Sequence, residues 1–237
     1  MTITEMHRAF DMELDKSSAI EMPSFLPEEK DFWLNMAIRS FVKNRYRGKQ
    51  DGVGFEEISK RTMDLSTLVN ETTLDVTADT VKTDSGLHSY LADLPNSLWF
   101  IVGEEVDIIY KKLGDTENTT KRQGVTQCTA STYRSHIDDP HSEHRLHYEE
   151  AKPLRLIYQQ NVELIGDLNY TIGHYYVRYI KKPAVVLWVG ISSVNNIDCD
   201  LPEHTHDEVV KLAANMVLEN IEQPRYQSHM VELNKVE

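Results

Sequence analysis

The sequence predicts an α+β protein: a helical bundle built from both ends of the chain, with an antiparallel β domain inserted between them. Three observations carry this. Apolar side chains recur at helical spacing through the first 70 residues. The middle is rich in threonine, tyrosine, valine and isoleucine, in short runs cut by glycine and proline. Beyond Leu201-Pro202 one more apolar stripe returns at helical spacing. The expected parts are a helical part over 1–70, a β-rich domain over 71–200, a C-terminal helix over 201–223 that completes the bundle, and a tail over 224–237.

Ile3, Met6, Phe10 and Leu14 give the first helix one apolar face, and Ser17-Ser18 ends it. Leu26-Pro27-Glu28-Glu29 opens the second helix, because proline is tolerated in a first turn and acids there suit the positive end of the helix dipole. Trp33, Ala37, Ile38, Phe41 and Val42 supply its stripe, Lys43, Arg45 and Arg47 favour its C-terminal end, and Gly48 stops it. A third helix is expected over about 54 to 70, from Phe55, Ile58, Thr62, Leu65 and Val69. Strands are expected at Leu87–Leu91, at Leu98–Tyr110 with Gly103 as a turn or bulge, at Leu154–Gln159 and at Val162–Ile165. Ile172–Ile180 alternates, with Tyr175, Val177 and Tyr179 on one side and His174, Tyr176 and Arg178 on the other. Pro183 ends that strand and Val185–Val189 reads as another. Val209, Leu212, Ala213, Met216, Val217 and Ile221 form the stripe of the last helix, which Pro224 stops. The polar stretch 114–152 is long for a compact domain, and such excursions are usually functional or interfacial.

Composition narrows the function. The net charge is −13, from 38 acids against 25 bases, which argues against a groove that binds nucleic acid by neutralising phosphates. No apolar run reaches transmembrane length. MTITEMHRAFDMELDK is charged throughout and has no signal-peptide core. Cys128 and Cys199 are therefore expected as reduced thiols of a product made in the cytoplasm, and the acceptor patterns at Asn70, Asn118 and Asn169 are discounted. Glu104-Glu105, Asp138-Asp139 and Glu149-Glu150 read as solvated surface. Tyrosines 170, 175, 176 and 179 crowd one strand region, as a doubly covered sheet or an interface would require.

Two histidine groups invite a metal reading. In "CDLPEHTHDEVV", His204 and His206 are two residues apart; on a helix they would point about 200° from each other and could not chelate one ion. The segment instead reads as a capping box, with the Thr205 side chain on the Glu208 amide and Glu208 reaching back, or as a helix begun earlier at Pro202. In "HIDDPHSEHRLH", His144 and His147 are one turn apart if helical, but Pro140 breaks the segment and an exposed polar loop is expected. Phosphate loops, dinucleotide fingerprints, nucleophile elbows and Cys-x-x-Cys pairs are missing, so catalytic, cofactor-binding and metal residues are all assigned as none.

The order of elements resembles the head–tail connector proteins of short-tailed phages, of the tail tubular or gatekeeper type, and above all the ring proteins of crAss-like phages. The stretches that carry the resemblance are residues 1–48, "VRYIKKP" at 177–183 and "CDLPEHTHDEVVKLAANMVLENIEQPR" at 199–225. The histidine-rich 136–147 segment matches no pattern of that family. The resemblance implies a non-enzymatic virion part: a homo-oligomeric ring, commonly twelve-fold, stacked below the portal protein and against adjacent ring or tail proteins. Double-stranded DNA would pass through its lumen without specific binding, and no cofactor or membrane is involved. An acidic wall fits that role, because it repels phosphates rather than holding them. The 114–152 excursion would then order only in the assembly, leaving it open to protease in the free chain. The competing readings are another tail or baseplate component, a metal-dependent hydrolase using His141, His144, His147, His204 and His206, and a host-directed acidic binding module.

Overall fold

The computed structural model describes residues 1–17, 24–47, 59–78, 87–112, 116–147, 149–191 and 193–221. In chain order the helices are α1 (Ile3–Ser17), α2 (Pro27–Arg47), α3 (Ser59–Asp64), α4 (Tyr133–Asp138) and α5 (His206–Asn220). The strands are β1 (Val69–Asp75), β2 (Thr77–Ala78), β3 (Leu87–Asp93), β4 (Leu98–Tyr110), β5 (Thr119–Gly124), β6 (Thr126–Gln127), β7 (Leu154–Tyr158), β8 (Asn161–Asp167) and β9 (Thr171–Lys181). The class is α+β, with helices from both ends of the chain and a β domain inserted between them. Two compact units result: Met1–Leu68 with the chain from Lys182 onward, and Val69–Lys181.

In the helical unit, α5 packs against both α1 and α2. The faces that meet are Ile3, Met6, Phe10 and Leu14 of α1, Leu34, Ile38, Phe41 and Val42 of α2, and Val209, Val210, Ala213, Ala214, Val217 and Leu218 of α5. Each fully buried Leu, Ile, Val or Phe contributes about 1.5–3 kcal/mol. The small Ala213-Ala214 pair lets α5 lie close to its neighbours. A capping box does occur in this unit, at the start of α1: the Glu5 amide donates to Thr2 Oγ1 at 3.3 Å and the Thr2 amide to Glu5 Oε2 at 2.8 Å.

The expected third helix is shorter than the periodicity suggests. It runs only from Ser59 to Asp64, a 3-10 turn covers Ser66–Leu68, and Val69 opens β1. Residues 54–58 lie outside the described part, as do Gly48, Pro224 and the expected tail. The reason is pairing: Val69–Asp75 aligns antiparallel with β9, Val69 opposite Ile180 and Asp75 opposite His174. The chain thus enters the β unit on β1 and leaves it on the adjacent β9, so insertion asks for only one pair of neighbouring crossings.

The β unit holds two sheets, in the orders β1-β9-β4-β5 and β2-β3-β8-β7-β6. All ladders are antiparallel except the short β6–β7 pair. Val106 and Ile108 of β4 and Tyr175, Val177 and Tyr179 of β9 join Tyr90 of β3 and Val162 and Leu164 of β8 in one core, so the sheets pack face to face. Gly103 sits at a bulge: the β4–β9 register slips between Ile101 and Gly103. The slip reverses the parity of β4. Ile101 packs against the core from one side of it, and Glu104, Val106 and Ile108 point inward beyond it.

That parity carries Glu104 into the interior. Arg155 of β7, on the opposite sheet, donates to Glu104 Oε2 through Nη2 at 2.9 Å and Nε at 3.1 Å, and the Tyr175 hydroxyl donates to Glu104 Oε1 at 2.8 Å. Burial, and then the Glu104 charge, hold the Tyr175 hydroxyl far above its ordinary pKa, so it remains a donor. The tyrosine crowding divides accordingly: Tyr175 and Tyr179 face inward, and Tyr170 is buried with its hydroxyl on the His144 carbonyl at 3.0 Å. Gly166 makes room for Tyr170, since a Cβ there would stand 2.8 Å from its ring. Tyr176 faces outward, donating to Asp107 Oδ2 at 2.6 Å beneath the Arg122 guanidinium.

The described residues of the 114–152 excursion are folded into the β unit. They add β5 to the edge of the first sheet and β6 to the edge of the second, and α4 covers the second face of the second sheet. Ile137 of α4 and Cys128 join Leu87, Leu154, Leu156 and Ile165 in a separate apolar cluster, with Tyr133 packed on it. β8 is buried on both faces for this reason.

The sheet-to-sheet ion pair makes a stability prediction. Glu104→Leu leaves the Arg155 charge buried without its carboxylate and lowers unfolding stability by about 3–5 kcal/mol in urea titrations. Glu104→Leu combined with Arg155→Met removes both charges and recovers most of that loss.

Candidate assembly surface

Asp31 and Asn35 lie one turn apart on α2, on a buried face, where polar side chains need partners. Their partners come from three places. His7 Nε2 of α1 meets Asp31 Oδ1 at 2.8 Å. The Trp188 amide donates to Asp31 Oδ2 at 3.0 Å. Asn35 closes a two-way pair with Val186, accepting from its amide and donating to its carbonyl, both at 2.9 Å, while also donating to the Asp31 carbonyl at 2.7 Å. The Trp188 indole stands against His7 and donates to Thr4 Oγ1 at 3.2 Å.

These bonds explain why Val185–Val189 is not the sheet strand that its sequence suggests. The segment is extended, but two side chains of α2 replace a neighbouring strand along one edge. The other edge has one antiparallel bridge, Leu187 to Ile197. Asn196 Oδ1 takes the Val189 and Gly190 amides. Residues 182–200, expected with the β domain, therefore belong with the helices.

Period-two geometry then decides what faces out. Val186 is buried and Trp188 half-buried against α1 and α2. Val185, Leu187 and Val189 point the other way and are exposed, as are Ile191, Val194 and Ile197, with Ile191 at 74% and Val194 at 99%. No residue from 185 to 197 is charged. On α2, Phe32 and Met36 are also exposed. At about 100° per residue they lie next round the helix from Asp31 and Asn35, on the side away from the buried stripe. An exposed apolar ridge of this extent marks an interaction surface.

The outer face of the first sheet has a different character. Glu71 pairs with Arg178 at 3.3 Å, His174 stands 3.5 Å from Asp75 and 3.7 Å from Asp107, and Arg122 reaches Asp107 at 3.6 Å and Glu105 at 3.8 Å. A shallow depression there is lined by Glu71, Gly103, Glu104, Glu105, Tyr176 and Arg178. Its charges are already matched within the chain.

The histidines do not gather. His204 Nε2 meets Asp64 Oδ1 at 3.0 Å, and Asp64 also takes Arg45 Nε at 2.9 Å. His206 is buried, with Nε2 on the Leu201 carbonyl at 2.9 Å and Nδ1 3.0 Å from the Met1 nitrogen. Nε2 is thus the donor and Nδ1 the acceptor of its ring. The capping box expected at Thr205–Glu208 does not form: Thr205 has helical backbone angles and donates its hydroxyl to the Pro202 carbonyl at 2.8 Å, while Glu208 pairs with Arg45. A 3-10 turn at Glu203–Thr205 leads into α5 instead. His141 and His147 are exposed, whereas His144, expected on a polar loop, is fully buried with Nδ1 on the Ser142 hydroxyl at 2.9 Å. Its Nε2 has no hydrogen-bond partner among the described residues. Among those residues no group of three or more His, Cys, Asp and Glu is placed to hold a metal ion. No described helix is long and apolar enough to cross a membrane.

Sequence reasoning missed Asp31 and Asn35, which look like ordinary polar residues on a surface helix. The available signal was the run "VVLWVG", apolar on both faces of an extended segment, which calls for two covers where the chain supplies one.

Fold and surface together fit a structural subunit: the buried Glu104, Asp31, Asn35 and Asp64 are bonded within the fold, and an apolar ridge stands open at 185–191. Comparison with known proteins agrees. Residues 1–226 match the phage tail ring protein 3/4 family, and the chain belongs to that family. It is also 28% identical over 231 residues to "Ring protein 4/5" of Bacteroides phage crAss001, covering 91% of this chain and 92% of the relative. The chain is thus a phage structural ring protein of the tail, a virion component.

Two measurements check the geometry. Asn35→Leu leaves the Val186 amide and carbonyl buried without partners, and should cost about 2–4 kcal/mol in urea unfolding, from two unmet groups at about 1–3 kcal/mol each less the gain from the apolar side chain. His144 gives a pH signature. Burial, and then the nearby Arg145 charge, push its pKa from 6.5 down to about 4. The unfolded chain therefore takes up this proton first as pH falls. The stability contribution is full above pH 6.5 and is lost on the way down to about pH 4. By about pH 5 the loss is about 2 kcal/mol, and His144→Gln should flatten the pH dependence of unfolding by that amount relative to the unaltered chain.

Proposed function

We propose that this chain forms a non-enzymatic ring at the head–tail junction of the particle, below the portal, in about twelve copies related by rotation. In this reading the ring is a conduit: double-stranded DNA moves through its lumen during packaging and ejection. The observation that carries the proposal is the family match along nearly the whole chain, 1–226. Supporting it, the side chains with chemical potential are committed to structure: Glu104 to Arg155 and Tyr175, Asp31 to His7 and Trp188, and Asp64 to Arg45 and His204. The net charge of −13 suits a wall along which phosphates slide.

A cryo-electron microscopy map of the native particle, with quantitative mass spectrometry of its proteins, tests this. The expected result is a closed ring of this chain at the junction, at the copy number of the portal or a simple multiple of it. Density for the chain only at the baseplate, or its absence from the particle, overturns the proposal.

A further inference from the structure

We propose that the apolar ridge of Val185, Leu187, Val189 and Ile191, widened by Phe32 and Met36 of α2, is the surface through which one copy of this chain meets the next around the ring. The inference rests on the ring reading and names the joint that reading requires.

Four observations carry it. First, the ridge is open in the single chain, with exposures from 40% at Met36 to 74% at Ile191. With ordinary residue areas that amounts to several hundred Å², within the about 300–600 Å² of the largest and often functional apolar patch on a typical monomer. It approaches the roughly 800 Å² that one partner gives to a stable interface. Second, the main chain beneath the ridge is already satisfied: Val186 by Asn35, Trp188 by Asp31, Leu187 by Ile197, Val189 by Asn196. The partner therefore docks on side chains and does not add a strand. Third, charge selects the occupant. Two copies each carrying −13 repel, so a joint between like chains has to lie where charge is absent, and the segment 185–197 is uncharged in a chain whose residues are 27% charged. Fourth, permanent joints are the more apolar class of interface, and closure by rotation repeats one such joint at every subunit. Because a ring contact joins two different faces, the ridge meets a different surface of the next copy and not its own equivalent.

The test places a photo-reactive benzophenone residue in position 189 in place of Val189, in chains incorporated into particles, followed by irradiation and peptide mass spectrometry. The expected product has twice the chain mass and contains peptides of this chain alone, with the captured site outside 185–197 and outside α2. Capture of a different virion protein overturns the proposal in favour of a contact between rings or with the tail. Failure to cross-link in particles that contain the chain also overturns it. Particles that lack the chain altogether would instead remove the ring reading itself. A second variant, Val189→Asp with Ile191→Asp, should keep the urea midpoint of the unaltered chain, because both side chains are exposed, yet be lost from particles. Incorporation at an unchanged level would overturn the inference.

Discussion

A short run of main chain, residues 186–188, has to be buried against α2 without a sheet to receive it, and the helical unit is organised around that demand. Unpaired amides and carbonyls away from water are costly, so something on α2 must take their place. Asp31 and Asn35 do so, at the cost of putting two polar side chains on the buried face of a helix. His7 and Trp188 then cover the remaining lone pairs and ring faces. The result joins α1, α2 and a segment some 150 residues later through directional bonds. Apolar packing of α5 on α1 and α2 stabilises this unit, but it is not directional and would tolerate sliding. The polar bonds fix the position.

Arg45 performs a similar task at the other end of α2. It pairs with Asp64 after α3 begins the exit from the bundle and with Glu208 in the first turn of α5, while its guanidinium lies over Phe41. His204 adds to Asp64, and His206 reaches back to the Leu201 carbonyl. The two histidines that suggested a metal site thus have separate structural partners on opposite sides of the helix start. Glu208 shows why a local motif can fail: tertiary packing brings Arg45 to its carboxylate, and the Thr205 amide is already taken by the Pro202 carbonyl at 2.9 Å.

This marks the boundary of what the sequence made legible. Helices α1, α2 and α5 were readable because each buries one stripe, and stripes recur at 3.6 residues. β9 was readable because its faces differ, with Tyr175 and Val177 in and His174 and Arg178 out. Gly103 was readable because a glycine inside a strand has few other uses. The α3–β1 junction was not, because Leu65 and Val69 are four apart and satisfy a helix as well as a turn followed by a strand. The excursion was not, because Cys128 and Ile137 are too few and too scattered to announce an apolar cluster until β3, β7 and β8 bring their outer faces to them. His144 reads as loop surface in the sequence for the same reason. The Asp31–Asn35 network was invisible, because a polar residue on a helix gives no local sign that a distant strand will need it.

The same network decides what the ridge can do. In an extended segment held only at its ends, outward side chains would sample many arrangements, and ordering them on contact would consume part of the binding free energy at every joint. Here the alternate residues, Val186 and Trp188, are bonded in place, and the Leu187–Ile197 bridge braces the other edge. Val185, Leu187 and Val189 therefore present a fixed row before any partner arrives. In a closed ring this saving recurs at each subunit, so a modest gain in order within one chain is multiplied by the copy number. Burying two polar side chains on α2 is a sensible arrangement on those terms: the cost is met once within each fold, by hydrogen bonds that also close the bundle, and the apolar face it exposes is left free of charge in an otherwise acidic chain.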